Sequence, residues 1–339
     1  IGNFARSLLR AIPQEARGGI GVILPPGSPY AGDFPGCRIH YARIAPTSHP
    51  WTELYEQVFL PFFCLAMGYR ALVAFDGRIP IMHPGVRAYP FIYDLTAVTV
   101  PGSHNRRYTL LLKAAIAVAR FSATGVFTIS EAVRGQIART TGLPPAKIFV
   151  IYPSDSGLDA CEAAKPQGVM APFFLAVGMT NRRKNAVNLL RAFEIFRRGS
   201  GTKVQLVATG DARLIHAAIA RSGISPECAS AVINLGFVKE SALRWLYENA
   251  RGLAYPSLDE GFGIPLVDAA RHGCPVACSN IPVFREVLGS FPSYFDPASP
   301  EDIARAMREI PEERVNGSVP SLPFSWEDSA RNLTARARI

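Results

Sequence analysis

Short apolar runs alternate with stretches of helical spacing along almost the whole chain, and this alternation constrains the fold more than any other feature. In the first half the apolar runs predict strands at Ile20–Leu24, Ala71–Phe75, Tyr89–Tyr93, Gly125–Ile129 and Lys147–Ile151. Helical stretches lie between them at Trp51–Met67, Arg106–Phe121 and Ser130–Thr141, the last with Ser130 as N-cap and Gly142 followed by Pro144 as its stop. Periodicity lapses after Pro153 and resumes with strands at Phe173–Val177, Lys203–Ala208, Val232–Leu235, Gly252–Tyr255 and Val276–Cys278. A helix is predicted from Asn185 to Arg198, where Leu189, Phe193 and Phe196 share a face and Gly199 supplies the stop. A final helix, Trp326–Arg338, follows Pro320 and Pro323. Strands that alternate with helices build parallel sheets covered on both faces. At 339 residues the chain exceeds one typical core. The expectation is an α/β protein of two Rossmann-like, doubly wound domains facing across a cleft, with ligands at the carboxyl ends of the strands. The expected boundaries are 1–152, a linker over 153–171, 172–322, and a C-terminal helical segment over 323–339. The stretch IGNFARSLL is helix-like from its start, so the first strand of the first domain is expected upstream of Ile1.

Composition narrows the function. Apolar residues make up 48%, enough for two cores. The cysteines, Cys37, Cys64, Cys161, Cys228, Cys274 and Cys278, form no C-x-x-C pair, which argues against a disulfide framework or a zinc site and favours the reducing cytoplasm. The apolar runs 58–69 and 110–121 are broken by Pro61 and by Lys113 and Arg120, and neither reaches the roughly 20 residues that span a bilayer. The net charge of +9 leaves three partners open: an anionic substrate, an anionic membrane surface, or nucleic acid. No basic run is interleaved with aromatics, which weighs against nucleic acid.

Three stretches carry chemistry. In SLDEGFGIPLVDAARHG, Glu260 follows the strand Gly252–Tyr255, and Gly261 and Gly263 permit close backbone approach. Pro265 suits a first helical turn, and Asp268 is expected in that turn. A glycine-exposed helix start favours anions, and a carboxylate accepts hydrogen bonds from paired hydroxyls of a ribose or hexose. Equally, Asp268 could only complement the helix dipole and Glu260 could be a surface turn residue. In VGMTNRRKNAVNLL, Arg182, Arg183 and Lys184 precede a helix, where cations oppose the macrodipole and a bound phosphate would relieve the conflict. The alternative is a solvated basic loop. In INLGFVKESALRWLY, Phe237 and Val238 could border a nucleobase, or Phe237 could be core. Two weaker signals are YPFIYDL, ending at Tyr93-Asp94, and Gly2 ahead of the first helix.

DEGFGIPLVDAA resembles the E-x7-E motif of family-4 retaining glycosyltransferases, and VGMTNRRKN resembles that family's R-K-N phosphate loop. LGFVKESALRWLY, TISEAVRGQIARTTGLPPAKIFVIYPS, FSWEDSA and IGNFARSLLRAI are similar to further segments of the same family, in order along nearly the whole chain. The resemblance implies a GT-B fold and metal-independent transfer of a sugar, with retention, from a nucleotide donor. The R-K-N variant resembles bacterial mannosyltransferases of polysaccharide assembly, implying GDP-mannose as donor and a glycan or lipid-linked acceptor. The nucleotide sugar would be a substrate, and no cofactor is expected. By position, Glu260 would contact the donor sugar and Asp268 the ribose. The backbone of Gly261, Phe262, Gly263 and Ile264 would hold sugar and phosphate. Arg183 and Lys184 would neutralise the diphosphate beside Gly178, Phe237 and Val238 would border the base, and Gly2 would remain from a phosphate loop. Two departures stand out: Tyr93-Asp94 where the family has His-Asp, and Asp268 where it has Glu. A transferase using another donor (UDP-glucose, or a dTDP- or GDP-deoxysugar) and a non-catalytic sugar-nucleotide-binding or scaffold protein stay open. A nicotinamide dehydrogenase is disfavoured, because no G-x-G-x-x-G links a strand to a helix. The basic stretch NRRYTLLLKAAIAVARF suggests a peripheral position at the inner face of the membrane, with its helix lying on anionic lipid; the same apolar positions could instead pack on the sheet.

Overall fold

The computed structural model describes residues 2–42, 55–99, 106–200, 203–312 and 322–339. They form two compact units: Ile1–Pro153 together with Phe324–Ile339, and Ser154–Pro323.

Unit 1 begins with helix α1 (Gly2–Arg10), followed by strands β1 (Gly21–Leu24) and β2 (Arg38–Tyr41). A π-helical turn, Tyr55–Phe59, leads into α2 (Leu60–Ala66); residues 51–54 of the expected Trp51–Met67 helix lie outside the described residues. Strands β3 (Ala71–Ala74) and β4 (Arg87–Pro90) follow, then α3 (Arg106–Ser122), β5 (Val126–Thr128), α4 (Glu131–Thr141) and β6 (Ile148–Val150). The end signals of α4 act as the sequence indicates. Ser130 Oγ accepts from the Val133 N–H at 3.2 Å, and Gly142 closes the helix in the left-handed region at φ 68°. Inward faces of α3 and α4 bury Ile116, Ala119, Val133 and Ile137 with Val126 and Ile148.

The expected continuous sheet of unit 1 is corrected to three parallel pairs, β1–β2, β3–β4 and β5–β6. A bridge between Phe91 and Phe127 links the last two. Strand β4 starts earlier than the expected Tyr89–Tyr93, and pairing carries on past Pro90: the Phe91 N–H donates to the Ala74 carbonyl at 2.9 Å and the Ile92 N–H to the Phe127 carbonyl at 2.8 Å. A cavity of about 630 Å³ is lined by Val22 and Ile23 of β1 and Leu72 and Val73 of β3, with Phe63 and Tyr69 beside them.

Unit 2 carries one six-stranded sheet, every pairing parallel. Its main elements are β7 (Phe173–Met179), α5 (Ala186–Ser200), β8 (Gln205–Gly210), α6 (Ala212–Ser222), β9 (Val232–Gly236), α7 (Glu240–Asn249), β10 (Gly252–Tyr255), α8 (Ile264–Arg271), β11 (Val276–Ser279), β12 (Ser293–Phe295) and α9 (Pro300–Glu309), with shorter helices at Pro226–Ala229 and Pro282–Leu288. Residues 154–172 cluster with this unit. Gly199 does not stop α5 but sits in its last turn. Phe174, Phe193, Phe196, Leu206, Ile303 and Met307 are among the core residues, each at most 2% exposed. The strand order is β12-β11-β10-β7-β8-β9, so the sheet grows in opposite directions from the β7/β10 pair. That pair is the topological switch point, and the loops leaving its carboxyl ends meet.

Helix α10 (Trp326–Ala337) belongs to unit 1, though it lies beyond unit 2 in the sequence. Ser325 caps it by accepting from the Asp328 N–H at 3.0 Å. Asn332 Nδ2 donates to the Val150 carbonyl at 2.9 Å, and the Trp326 ring meets Phe4 edge-on at 5.5 Å.

Candidate functional site

The loop after β7 carries Arg183 and Lys184, and the loop after β10 carries Ser257 to Gly263. The Leu258 N–H donates to the Arg183 carbonyl at 2.9 Å, which ties the two loops together. Glu260 therefore lands on the basic run. Lys184 Nζ donates to Glu260 Oε1 at 2.7 Å and also to the Tyr255 hydroxyl. Arg183 pairs with Glu260 Oε2 and donates to the Asp259 carbonyl at 2.6 Å. Ser257 Oγ and Tyr255 Oη donate to Glu260 Oε1 at 2.8 Å and 3.2 Å. Glu260 and Lys184 are each 8% exposed, so neither the surface-turn reading of Glu260 nor the solvated-loop reading of Lys184 holds.

The electrostatics follow from this packing. Burial pushes the Glu260 carboxyl up, but the Lys184 and Arg183 charges with their hydrogen bonds outweigh it and hold the pKa down to about 2. Burial pulls Lys184 down, and Tyr255 and Glu260 more than reverse that, so the ammonium is retained. Tyr255 is pushed to about 12, first by burial and then by the Glu260 charge. The expected conflict between three cations and a helix start is thus met within the protein: Glu260 is the anion. Two cations against one carboxylate still leave an excess positive charge, suited to a phosphate group.

Backbone geometry supports the same use. Gly178 lies at φ +70°, and a Cβ there would stand 3.9 Å from Lys184 Nζ. Gly263 lies at φ +100° and caps α8 without a side-chain bond; a Cβ would approach Phe284 to 3.0 Å. Gly261 and Phe262 are buried, and Ile264 opens the helix.

Asp268 requires a correction. It lies in the second turn of α8, not the first, so it does not complement the helix N-terminus. It is 2% exposed, and both its oxygens are engaged: the Ser156 N–H donates to Oδ1 at 2.8 Å and Ser156 Oγ to Oδ2 at 2.7 Å. Burial raises its pKa to about 6 against those hydrogen bonds. One turn on, Arg271 pairs with Asp155 at 2.8 Å and donates to Ser154 Oγ at 3.2 Å. Helix α8 thus holds residues 154–156 by two side chains.

Phe237 is 78% exposed just beyond β9, so it is not core, and Val238 beside it is half-buried. The remaining candidates belong to unit 1. Tyr93 stacks on Phe91 at 5.0 Å and meets Phe4 edge-on at 5.3 Å. Its buried hydroxyl has no hydrogen-bond partner among the described residues, and burial raises its pKa. Asp94 Oδ1 accepts from the Thr96 N–H at 2.9 Å and from Thr96 Oγ1, and so caps its own turn. Gly2 opens α1 with nothing within 4 Å of where a Cβ would stand, so packing does not require glycine there.

Sequence reasoning missed Tyr255, Ser257 and Ser156. Ser257 precedes Glu260 by three residues, a spacing that side chains bridge in a turn; no such local signal marks Ser156 or Tyr255. Among the described residues no group of three or more His, Cys, Asp or Glu is arranged to hold a metal ion.

Residues 162–331 match the family described as Glycosyl transferases group 1. The chain is 31% identical over 185 residues to the O-antigen chain mannosyltransferase RfbU of Salmonella typhimurium, covering 55% of this chain and about half, 50%, of RfbU. It is 26% identical over 259 residues to O-antigen chain mannosyltransferase B of Escherichia coli, covering 71% of this chain and 68% of that protein. In fold it is similar to Anabaena HepE, crystallised with UDP and glucose, at a TM-score of 0.65 and 17% identity over 98% of this chain and 90% of HepE. WaaG, a glycosyltransferase of lipopolysaccharide biosynthesis, aligns at a TM-score of 0.63 and 16% identity over 98% of this chain and 91% of WaaG.

Proposed function

The chain belongs to the group 1 glycosyl transferases, and from that premise we propose that it transfers mannose from a nucleotide diphosphate sugar to a glycan or lipid-linked acceptor of surface polysaccharide. The observation that carries this is the Arg183–Lys184–Glu260 cluster at the β7/β10 switch point. Sugar transfer breaks the bond between the anomeric carbon and the diphosphate, and the electron pair leaves with the nucleotide. Positive groups fixed where that charge develops lower the barrier without reorganising. Arg183 and Lys184 are such groups, and Gly178, where a Cβ would stand 3.9 Å from Lys184 Nζ, lies beside them; the backbone of Gly261–Ile264 is our candidate for further phosphate contacts. Glu260 holds both cations in place and is our candidate contact to the transferred sugar. Asp268 is our candidate for the ribose hydroxyls, with Ser156 as the group it exchanges. Phe237, exposed at the end of β9, is our candidate face for the base. In unit 1, the Tyr93 hydroxyl has no hydrogen-bond partner among the described residues, and Tyr93→Phe tests its part.

Mannose is preferred because the matched proteins from Salmonella typhimurium and Escherichia coli are named mannosyltransferases. We propose that transfer proceeds with retention and without a metal ion, since side-chain cations supply the charge, and that the enzyme works at the cytoplasmic face of a membrane. The net charge of +9 supports that location. The test is a donor panel of GDP-mannose, UDP-glucose and dTDP-sugars with product stereochemistry read by NMR, repeated in EDTA. α-Mannosyl product from GDP-mannose, unchanged by EDTA, is expected. Transfer only from a UDP- or dTDP-sugar overturns the donor, and rescue of an EDTA-inactive enzyme by manganese overturns the metal-free mechanism.

A further inference from the structure

Strand β1 ends at Leu24, and the loop that leaves its carboxyl end, residues 25–37, is rich in proline and glycine. Ligands of parallel α/β sheets bind at that end. The loop is held by α1 and the turn after it. Phe4 and Leu8 of α1 are buried, while Asn3, Arg6 and Arg10 recur at helical spacing along another face. Arg6 Nη1 donates to Asp33 Oδ2 at 3.4 Å. Arg10 donates to Asp33 Oδ1 through Nη2 and to the Asp33 carbonyl through Nε. Arg17 Nη1 donates to the Pro35 carbonyl at 3.2 Å, while its Nε and Nη2 bind the Ile12 and Arg10 carbonyls. Within the loop the Asp33 N–H donates to the Tyr30 carbonyl at 3.0 Å and closes a single turn. A loop tied down by three arginines is ordered before a ligand arrives, which lowers the entropy lost on binding.

The loop presents an aromatic ring. The Arg6 guanidinium lies 4.7 Å from the centre of the Tyr30 ring, and Tyr30 is still 47% exposed. The cation fixes the ring from one side and leaves much of it to solvent. Arg6 Nη2 also donates to Asn3 Oδ1 at 2.9 Å, so the Asn3 amide nitrogen remains to donate elsewhere. Gly27 and Gly32 have nothing within 4 Å of where a Cβ would stand, so the backbone on either side of Tyr30 is open.

This set of groups suits a sugar. One face of a hexopyranose is made of C–H bonds, whose partial positive charge is drawn to the negative face of an aromatic ring. Its rim carries hydroxyls that need donors and acceptors. Tyr30 supplies the ring, Asn3 a donor, and the Asp33 carboxylate accepting lone pairs. A free anion is served less well, because both guanidiniums are already turned onto Asp33, Asn3 and the Tyr30 ring. We infer that Tyr30, with Asn3 and Asp33, forms a subsite for one hexose ring of the acceptor glycan. This rests on the reading that the chain transfers sugar to a glycan, and Tyr30 acts by binding the acceptor, not in the chemical step.

The experiment is a titration of the full chain with α-mannotriose, maltotriose and inorganic phosphate, read by saturation-transfer NMR and calorimetry. The wild type should bind at least one trisaccharide. Tyr30→Ala should weaken that binding about fivefold to tenfold, the loss expected for one aromatic stacking contact, and Tyr30→Phe should restore it because the ring is kept. Asn3→Ala should weaken it by a smaller factor. Tyr41→Ala, at a 52% exposed position of β2, should bind as wild type. In transfer assays Tyr30→Ala should raise the acceptor KM and leave kcat, with nucleoside diphosphate affinity unmoved. Binding of neither trisaccharide, equal binding by wild type and Tyr30→Ala, or displacement of the trisaccharide by inorganic phosphate overturns the subsite. Trisaccharide binding that Tyr30→Ala weakens, in a protein that transfers nothing from any nucleotide sugar, keeps the subsite and refutes the transferase reading alone.

Discussion

Glu260→Gln separates stability from ligand affinity in this site. Glutamine keeps the shape and can still accept from Ser257, but it removes the carboxylate that pairs with Lys184 and Arg183. The three side chains are 9%, 10% and 14% exposed, so water screens them little. Removing one member of a buried pair typically costs about 3–5 kcal/mol. Here Lys184 keeps the Tyr255 hydroxyl and Arg183 keeps the Asp259 carbonyl, so about 2–4 kcal/mol is expected. For a unit of this size that lowers the calorimetric midpoint of unit 2 by roughly 5–15 °C. Nucleoside diphosphate affinity should move the other way and rise about tenfold, because the cations no longer have an internal partner to give up. Saturating nucleoside diphosphate should then restore much of the lost midpoint. Calorimetry and isothermal titration on one preparation read both effects. A midpoint shift below about 2 °C, or affinity that falls with stability, would refute the view of Glu260 as the internal counter-ion.

Lys184→Met should weaken nucleoside diphosphate and intact donor together, by about 1.5–3 kcal/mol for a charge-assisted contact; unchanged affinity by titration removes Lys184 from the phosphate site. Asp268 has a folded pKa of about 6, above its unfolded value, so its stabilising contribution is complete below about pH 4 and is lost as pH rises through 6. The stability of Asp268→Asn relative to wild type should therefore grow by about 2 kcal/mol between pH 4 and 7 in urea titrations, and a difference that stays flat with pH contradicts a buried carboxylate with a raised pKa. Glu260 works in the opposite sense: held to about 2, its contribution is present above about pH 4 and lost toward pH 2, so Glu260→Gln should flatten the acid limb of the stability curve.

Local punctuation was readable where it acts locally. Ser130 and Gly142 bound α4 because a cap needs only its own turn. The parallel sheet of unit 2 followed from alternation, since each strand buried on both faces leaves an unbroken apolar run. What escaped the sequence depends on distance along the chain. Lys184 and Glu260 are 76 positions apart, and only the reversal of strand order at β7/β10 brings them together. Ser156 and Asp268 are 112 apart, and their contact changes the expected role of the acid. Strand β2 was invisible because RIHY is half-exposed and polar.

The membership of α10 in unit 1 has a consequence for how the chain is made. Its ring and amide contacts reach Phe4 and Val150, residues synthesised long before Trp326. All of Ser154–Pro323 emerges in between. At ~5–20 residues per second, that interval is on the order of ten seconds or more. Unit 2 is contiguous and can close while the ribosome is still at work, whereas unit 1 waits with the Phe4 surface open until α10 arrives. Translation runs in one direction, and Phe4 meets its Trp326 partner only after the whole of unit 2 has been made.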